Sequence, residues 1–414
     1  MNALKDKNII FLSLGSYVTK KDLVYSQMIK FADELDKKNI FQTVQSIVIL
    51  PKISTYRRYK THKDNIDDFN NTVSSKLTFL YSWLLNGLAY SFVLKDYFYK
   101  LLQDEMFKQL ETLEGEIIFH CRSYYATDLA LLIKKEYPAK NIKVVFDMRS
   151  LLPPEFPYTS KLFGKILYVQ GKEWERKLLK NSDLSLVVTK NAINLLHLED
   201  STYKNIHYIP IIGFSEHFRA KNFQQEFEKR WENKSIAYIG SIGLWHNLES
   251  IESVEKFLQL KLHETHRFVI ATGNHNLNTK IEKTSIANDK MPDFYKKQLA
   301  IVVPGVLKDV DYFKSLKMTS NFFSTKASEA LSIGVPLIVN KQISELANLV
   351  LENRCGLVFE YDEKQDDIQF INVSAEELNS KEFWREITAN AFDVGKSFVK
   401  ENAEKLYNTY WEQV

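Results

Sequence analysis

Short runs of apolar and β-branched residues recur along the whole chain, and most are continuous rather than alternating with polar residues. Continuous runs of this kind are typical of strands covered on both faces, as in parallel sheets. The runs are 8–14, 43–50, 116–121, 143–148, 184–189 and 206–212 in the first half, and 235–240, 267–273, 299–305, 336–340 and 355–360 in the second. Each run is predicted to be a strand.

Helical patterns separate these strands, most clearly at 22–38, 127–137, 246–260 and 325–333. Strands that alternate with helices through short loops predict βαβ units with right-handed crossovers. Two series of such units predict two open sheets, and 414 residues exceed what one hydrophobic core usually supports. The predicted fold class is therefore α/β, with two Rossmann-like domains facing each other across a cleft.

The boundary between the domains is predicted near 214–234, a charged stretch that is poor in strand formers. We assign 1–214 to an N-terminal domain and 215–380 to a C-terminal domain. The remaining residues, 381–414, contain seven aromatic side chains and no strand-like run. A segment with so many large apolar side chains must pack against other parts of the protein. We predict that it forms helices that pack back across both domains.

Composition and charge exclude several classes of protein. The chain is 45% hydrophobic and 26% charged, which is typical of a globular protein rather than a disordered one. A net charge of +3 argues against nucleic-acid binding by bulk electrostatics, although a local basic patch remains open. Cys121 and Cys355 are far apart and predict neither a disulfide framework nor a thiolate metal site. A cytoplasmic location is expected, since the N-terminus also lacks a signal peptide's apolar core.

Two neighbouring segments raise the question of membrane contact. Residues 77–94 carry no charge over 18 positions, but they include Thr, Ser, Tyr, Asn and Gly, so a buried or interfacial helix is predicted rather than a span. Residues 51–63 combine five basic side chains with two tyrosines. This segment could bind a membrane surface or a lipid-linked diphosphate; the alternative is a solvated loop. The protein could therefore be attached peripherally to the inner face of the plasma membrane.

The strongest candidate for a site is 324–340, STKASEALSIGVPLIVN. A helix is predicted to begin near Thr325, which can cap it, and to end at Gly334. Lys326 lies at the helix start, where free N–H groups and the helix dipole favour an anion such as a diphosphate. Glu329, one turn further on, can accept hydrogen bonds from two ribose hydroxyls. The alternative is the charged first turn of an ordinary surface helix.

The segment TKASEALSIGVP resembles the donor-site signature of GT-B glycosyltransferases, notably family 4. Other stretches of the second half are similar to the same family: SIAYIGSIGLWHNLESI from Ser235, VVPGVLKDVDYFKSL from Val302 and RCGLVFEYD from Arg354. In the first half, FHCRSYYATDLALL and VVFDMRSLLPPE resemble members that build surface polysaccharides, and NSDLSLVVTKNAINLL resembles their usual strand and helix. Together the motifs cover most of the chain, although each is short.

The resemblance implies roles for particular residues. Lys326 would contact the donor phosphates, Glu329 would bind the ribose, and the stretch from Val302 would hold the nucleobase. The further residues assigned to donor binding are Gly240, Ser241, Thr272, Gly273, Val306 and Ser328. Gly15 and Ser16 end the first strand and would face the cleft, where they could touch acceptor or donor. For the glycine turns the alternative is a plain tight turn without a ligand.

Two departures from the family pattern bear on the site. Many members have two glutamates eight positions apart around the donor helix, but the position eight before Glu329 is Asn321. Many members also carry an Arg and a Lys after the first glycine loop, and 240–249 contains neither. Lys326 would then neutralise the diphosphate with help from backbone N–H groups alone.

Polar residues follow two strands of the first half. His120 could orient a sugar hydroxyl or hold a proton, and it is included with Lys326 and Glu329 among the candidate catalytic residues; the alternative is a structural histidine. Arg122 could bind a phosphate bidentately. Asp147 and Arg149 are predicted to form an ion pair that shapes the wall of the cleft. Arg122 and Arg149 are the candidate acceptor or cleft residues of this half.

Three functions remain open at this stage. The first is a retaining glycosyltransferase that moves a hexose or N-acetylhexosamine from a nucleotide diphosphate donor to a glycan or lipid-linked acceptor in bacterial surface polysaccharide synthesis. It is expected to need no cofactor and no metal. The second is a nucleotide-sugar epimerase on the same scaffold, and the third is a non-catalytic subunit of a polysaccharide assembly complex. Zincin, thiol-redox, serine-hydrolase and P-loop motifs are missing from the sequence.

Overall fold

The computed structural model describes residues 3–14, 24–51, 66–67, 69, 72–82, 95–159, 163–243, 246–262, 266–274, 276–307, 322–362, 364 and 366–414. The chain divides into two compact units. Unit 1 comprises Met1–Val188, Ile193–Tyr208 and Tyr407–Val414, and unit 2 comprises Thr189–Ala192 and Ile209–Leu406. Each unit is built on one seven-stranded sheet.

Unit 1 contains an all-parallel sheet with the strand order β3-β2-β1-β4-β5-β6-β7. Its strands are β1 Lys7–Leu14, β2 Thr43–Pro51, β3 Lys76–Ser82, β4 Glu116–Arg122, β5 Asn141–Met148, β6 Leu184–Val187 and β7 Ile206–Tyr208. Its described helices are α1 Lys30–Lys37, α2 Lys95–Leu110, α3 Tyr124–Glu136, α4 Phe156–Thr159, α5 Gly164–Asn181 and α6 Lys190–Glu199. A π-helical turn, Tyr25–Ile29, leads into α1. Helices α2 and α3 bury their apolar faces against β1, β2 and β4.

Unit 2 has the strand order β10-β9-β8-β11-β12-β13-β14, and its last pair is antiparallel. The strands are β8 Ser235–Ile239, β9 Arg267–Ala271, β10 Glu282–Thr284, β11 Gln298–Val303, β12 Leu337–Asn340, β13 Gly356–Asp362 and β14 Asp367–Phe370. The described helices are α7 Phe223–Asn233, α8 Leu248–Lys261, α9 Met291–Lys296, α10 Thr325–Ile333, α11 Ser344–Asn353, α12 Ala375–Leu378, α13 Lys381–Val394 and α14 Lys400–Trp411. The predicted fold class is confirmed: both sheets are mostly parallel and covered by helices.

The prediction of a helix at 77–94 is wrong for its first part. Residues 76–82 form β3, which pairs in parallel with β2 at the edge of the sheet. Its side chains are half-buried in several places, as expected for an edge strand, and an uncharged run alone does not distinguish this from a helix. Residues 83–94, and 52–63 of the basic segment, lie outside the described residues. Among the described helices, none is both long and apolar enough to cross a bilayer.

The stretch between the predicted domains contains helix α7, which the sequence did not indicate. Asn222 caps its start through a side-chain oxygen that accepts a hydrogen bond from the Gln225 amide at 3.1 Å. Phe227 and Arg230 are buried on one face of this otherwise charged helix. Apart from Arg230, the charged side chains of this helix are half-buried or exposed, so the stretch is an amphipathic part of unit 2 rather than an open linker.

The final helix contributes to both units. Residues Lys400 to Leu406 of α14 belong to unit 2, whereas Tyr407–Val414 belong to unit 1. Trp411 and Tyr407 are buried, and their rings stack at a centroid distance of 5.3 Å. The Trp411 ring also meets the edge of Phe11 on β1 at 5.9 Å. The chain terminus is therefore part of the core of unit 1.

Candidate functional site

Helix α10 begins and ends where side chains and a glycine satisfy its free backbone groups. The Ser324 hydroxyl accepts a hydrogen bond from the Lys326 amide at 3.2 Å, so the cap is Ser324 and not the predicted Thr325, one residue later. At the other end, Gly334 has φ 80°, a left-handed conformation that glycine adopts without strain. The helix thus starts directly before Lys326, as expected from the sequence.

The body of α10 is held in place from several sides. A Cβ atom added to Gly213 would come within 2.6 Å of the Ser328 carbonyl oxygen, so only glycine fits that approach. Arg219 donates from Nη1 to the Ser332 carbonyl at 2.8 Å, and buried Arg230 donates to the Gly334 carbonyl. Cationic donors at a helix C-terminus stabilise its unpaired carbonyl groups. The C-terminal end of α10 is therefore held by hydrogen bonds from two arginines.

Lys326 and Glu329 form an ion pair on the first turn of α10, with Nζ 2.9 Å from Oε2. The Tyr295 hydroxyl, on α9, donates to the same carboxylate oxygen at 2.8 Å. The Lys326 side chain is 31% exposed and that of Glu329 15%, whereas Tyr295 is fully buried. Within the part of the chain that the structure describes, no hydrogen bond reaches Glu329 Oε1. One carboxylate oxygen is thus held by two hydrogen bonds, and the other has no hydrogen-bond partner among the described residues.

Burial, and after it the nearby Glu329 carboxylate, raise the pKa of Tyr295 well above its usual value. Tyr295 therefore stays protonated at any physiological pH and remains a donor to Glu329. The first turn of an ordinary surface helix would not need a buried tyrosine hydroxyl to orient one of its carboxylates. This arrangement disfavours the reading of 325–333 as an ordinary surface helix.

Sheet topology brings the predicted donor residues to one edge. β9, β8, β11 and β12 are neighbours and run in parallel, so their carboxyl ends lie on the same edge of the sheet. Helix α10 connects β11 to β12, so its N-terminus lies at this edge too. Gly240 and Ser241 follow β8, Thr272 and Gly273 follow β9, and Val306 follows β11. In open α/β sheets this edge is where ligands bind.

His246 ties these loops together. Its Nδ1 atom accepts a hydrogen bond from the Gly305 amide at 3.1 Å, and its ring lies 5.6 Å from that of Phe322, two residues before the cap of α10. Burial lowers the pKa of His246 to about 4, so the ring is neutral and Nε2 carries the proton. His246 therefore links the loop after β8 to the loop after β11 and to the segment before α10.

The two glycine turns differ in their need for glycine. Gly240 has φ 144°, and a Cβ atom there would lie 3.3 Å from the hydroxyl of Tyr238, which itself donates to the Ser241 carbonyl at 2.7 Å. A Cβ atom at Gly273 would meet no described atom within 4 Å. Thr272 is buried, and its amide donates to the Thr284 carbonyl at 2.9 Å. Backbone geometry explains a glycine at 240 but not at 273.

Val306 and Ser328 are placed differently from each other. Val306 is half-buried beside Leu307, whose amide donates to Ser250 Oγ at 3.0 Å. A shallow surface cavity lies next to this loop and is lined by Asn247, Glu249, Ser250, Ser253, Leu307 and Tyr361. Ser328 is fully buried on the inner face of α10, and its hydroxyl has no hydrogen-bond partner among the described residues. Donor binding by Ser328 stays a prediction, which this position does not favour.

In unit 1, His120 is enclosed by the core. The Trp411 indole N–H donates to His120 Nδ1 at 3.2 Å, and His120 Nε2 lies 3.2 Å from Asp147 Oδ2. Because Nδ1 accepts, Nε2 carries the proton and donates to the carboxylate. Burial lowers the pKa of His120. Its catalytic role stays a prediction, and these contacts favour the structural alternative.

The ion pair predicted between Asp147 and Arg149 is present, with Oδ2 and Nη2 2.6 Å apart. Asp147 is part of β5 rather than following it, and Arg149 lies just beyond the strand end. Arg122 ends β4 and donates from Nη2 to Gln27 Oε1 at 3.1 Å. Gly15, Ser16 and Asn321 lie outside the described residues. Among the residues that are described, no group of three or more His, Cys, Asp or Glu side chains could hold a metal ion.

No protein-family model and no curated protein sequence matches this chain. Solved structures do resemble it. HepE from Anabaena, in complex with UDP and glucose, has a TM-score of 0.64 at 11% identity, covering 98% of this chain and 100% of that one. Sucrose-phosphate synthase from Thermosynechococcus elongatus has a TM-score of 0.63 at 12% identity, covering 98% of each chain.

A third similar structure is UGT2 from Phytolacca americana, complexed with UDP-2fluoro-glucose and pterostilbene. It has a TM-score of 0.58 at 12% identity, covering 99% of each chain. At such low identities the likeness concerns the fold. The two mostly parallel seven-stranded sheets, together with these neighbours, show that the chain has the GT-B fold.

Proposed function

We propose that this protein is a glycosyltransferase whose nucleotide diphosphate donor is bound by unit 2, at the N-terminus of α10. The observation that carries the proposal is the half-buried Lys326–Glu329 pair, whose carboxylate is oriented by the buried Tyr295 hydroxyl. The pair lies at the ligand-binding edge of the sheet rather than at an arbitrary surface position. Its chemistry fits a diphosphate next to a ribose.

The positive charge would receive the diphosphate. The Lys326 ammonium group has three N–H donors and can keep its contact with Glu329 while donating to a phosphate oxygen. The N-terminal end of α10 adds the partial positive charge of the helix dipole. Since 240–249 contains no Arg or Lys, we assign the binding of the diphosphate charge to Lys326.

The carboxylate would receive the ribose. With Oε2 held by Tyr295 and Lys326, Oε1 of Glu329 can accept hydrogen bonds from ribose hydroxyls. The solved structures of similar fold support this assignment, because HepE is described with UDP and glucose and UGT2 with a UDP-sugar analogue. The loop at Val306 and the cavity beside Leu307 are the proposed surroundings of the nucleobase.

The proposed sugar, acceptor and reaction type follow from the resemblance to family 4. We propose transfer of a hexose or N-acetylhexosamine to a glycan or lipid-linked acceptor in bacterial surface polysaccharide synthesis, without a metal. In a retaining reaction the acceptor oxygen bonds to the anomeric carbon on the face from which the diphosphate leaves. The bond from that carbon to the diphosphate oxygen breaks, and the acceptor proton passes to the diphosphate. Lys326 and the end of α10 would stabilise the charge of the leaving group.

We further propose peripheral contact with the cytoplasmic face of the plasma membrane through the basic segment 51–63 and the part of 77–94 that follows β3. A basic segment and an apolar segment are the two signals that stable attachment usually needs. Co-sedimentation with anionic lipid vesicles tests this proposal. Recovery of the protein in the supernatant at low salt would contradict it.

A donor screen tests the central proposal. UDP, GDP, ADP and CMP and their sugars are titrated into the full chain, and at least one nucleoside diphosphate is expected to raise the melting temperature. Replacing Glu329 by alanine should weaken binding of that nucleotide about 10- to 100-fold, because a charge-assisted hydrogen bond contributes about 1.5–3 kcal/mol. Isothermal titration calorimetry measures the dissociation constants.

The matched control is Glu352→Ala, which removes an exposed glutamate from α11 of the same unit and should leave binding unchanged. If no nucleoside diphosphate binds the wild-type chain, the reading as a non-catalytic subunit replaces the proposal. If a nucleotide-sugar incubated without an acceptor is converted to its epimer, the protein is an epimerase instead.

A further inference from the structure

Unit 1 holds a cluster of charged side chains at the carboxyl ends of its central strands. Arg122 ends β4, Asp147 lies opposite it on β5, and Arg149 follows β5. Gln27, in the π-helical turn before α1, accepts a hydrogen bond from Arg122. None of these contacts is used by the proposed donor site, which lies in unit 2.

The cluster contains more positive than negative charge. Asp147 is the carboxylate that pairs with Arg149, and it also accepts a hydrogen bond from neutral His120. Burial alone would raise the pKa of Asp147, but the charge of Arg149 and the bond from His120 outweigh it and lower the pKa to about 2. Arg122 has only the neutral amide of Gln27 as its described hydrogen-bond partner. Among the residues that the structure describes, one guanidinium charge is therefore uncompensated.

Arg122 is half-buried with its Nη1 atom fully covered, and an unpaired charge in such a position is less favourable than a paired one. Transferring an ion out of water costs several kcal/mol, and buried charges in folded proteins are normally paired. Burial, followed by the repulsion from Arg149, lowers the pKa of Arg122 to about 10, which still leaves it charged near neutral pH. The position calls for an anion that the described residues do not supply.

Three unused donors point to the same ligand chemistry. Nη1 of Arg122, Nη1 of Arg149 and Nε2 of Gln27 are buried and have no hydrogen-bond partner within the described ranges. The side chain of Gln27 is more than nine-tenths buried. Asp147 Oδ1 is an unused acceptor in the same cluster. An oxyanion satisfies the donors, and a hydroxyl group beside it satisfies the acceptor.

The backbone next to Arg122 adds further partial positive charge to this cluster. Helix α3 starts at Tyr124, and its first turn receives no side-chain cap, because the Ser123 side chain does not accept from it. Ser123 itself has φ 75° and ψ 175°, a conformation that residues other than glycine rarely adopt. The uncapped N-terminus of this 13-residue helix directs partial positive charge to the end of β4.

We propose that Arg122, Arg149 and Gln27 form an anion-binding site in unit 1 that takes the phosphate or carboxylate group of an acidic glycosyl acceptor. The assignment of the anion to an acceptor rests on the proposed glycosyltransferase function. The anion site itself rests on the donors and the charge of unit 1 alone. An acceptor of this class carries a hydroxyl near its acidic group, which suits Asp147 Oδ1.

Calorimetric titration of the full chain with inorganic phosphate and, separately, with acetate tests the site. At least one of the two is expected to bind, and the one that binds identifies the group. Arg122→Gln removes the uncompensated charge and should weaken that binding at least about tenfold, since bidentate guanidinium contacts to oxyanions are strong. Arg176→Gln is the matched control, because this arginine of α5 in the same unit has a side chain that is 43% exposed.

A second pair of measurements separates this site from the donor site. Lys326→Ala should leave the phosphate or acetate binding of unit 1 intact, whereas Arg122→Gln should leave UDP binding intact. A wild-type chain that binds neither anion, or an Arg122→Gln chain that binds as the wild type does, overturns the inference. So does an Arg122→Gln chain that fails to fold, because Arg122 would then be structural. Failure of UDP to bind the wild-type chain refutes the donor proposal and does not affect the anion site.

Discussion

Replacement of Lys326 by alanine is expected to lower kcat/KM for sugar transfer about 10²- to 10³-fold. The leaving diphosphate gains negative charge in the transition state, and the loss of one preorganised donor to such a charge typically has an effect of this size. No other Arg or Lys is available from 240–249, so little compensation is expected there. Initial rates with the donor found in the screen, at varied concentrations, give kcat and KM separately.

Three comparisons make this result specific. Lys256→Ala removes an exposed lysine from α8 of the same unit and should leave the rate unchanged. Tyr295→Phe keeps the charge of Lys326 but removes one of the two hydrogen bonds that hold Glu329, so its effect should be smaller and should fall mainly on the KM for the donor. Circular dichroism and the melting temperature show whether each variant is folded. A folded Lys326→Ala enzyme with unchanged kcat/KM would contradict the proposed role.

The central strands could be predicted from the sequence because most of their side chains are buried. All five residues of β8, for example, are buried, so the strand reads as one apolar run. The edge strands β10 and β14 were missed for the opposite reason. Glu282–Thr284 is polar and largely exposed, whereas Asp367–Phe370 alternates polar with apolar residues and buries Ile368, so neither short edge strand carries a continuous apolar signal. Strands in the middle of a sheet can thus be predicted from the sequence more readily than strands at its edge.

Only those parts of the candidate site whose residues are close together in the sequence could be predicted. Lys326 and Glu329 lie within one helix turn, so a capping pattern is enough to place them together. Tyr295 reaches Glu329 from 34 residues away, and His246 reaches Gly305 from 59 residues away. Both contacts depend on how helices and loops pack in three dimensions. A lone tyrosine in 291–296 and a histidine after a glycine turn carry no sequence signal of that packing.

His120 shows the same limit in unit 1. Its position after an apolar run suggested a residue at a ligand-binding edge. Its hydrogen-bond partner Trp411 lies 291 positions later, in the last turn of the chain. The sequence predicted that an aromatic C-terminal segment must dock, but not that its indole would occupy a nitrogen of this histidine. The docking of Trp411 can be tested by its energetic effect.

Trp411→Ala is expected to lower the free energy of unfolding of unit 1 by about 3–5 kcal/mol, the usual cost of truncating a buried tryptophan. The indole is fully buried and contacts the rings of Phe11, Phe41 and Tyr407. Its removal also leaves His120 Nδ1 without a donor, which adds about 1–3 kcal/mol if water does not replace it. Hydrogen exchange of the amides in β1 and β4 reports this change within unit 1.

Two further variants divide the effect into its parts. Trp411→Phe retains most of the ring packing but lacks the N–H donor, so it should cost about 1–3 kcal/mol, close to the hydrogen-bond contribution alone. Gln413→Ala changes an exposed residue two positions later and should not alter exchange in β1 or β4. Because Tyr407–Val414 complete the core of unit 1, removal of the indole must loosen the strands beneath it. Exchange in Trp411→Ala that matches the wild type would mean that the last helix only rests on unit 1 and does not stabilise it.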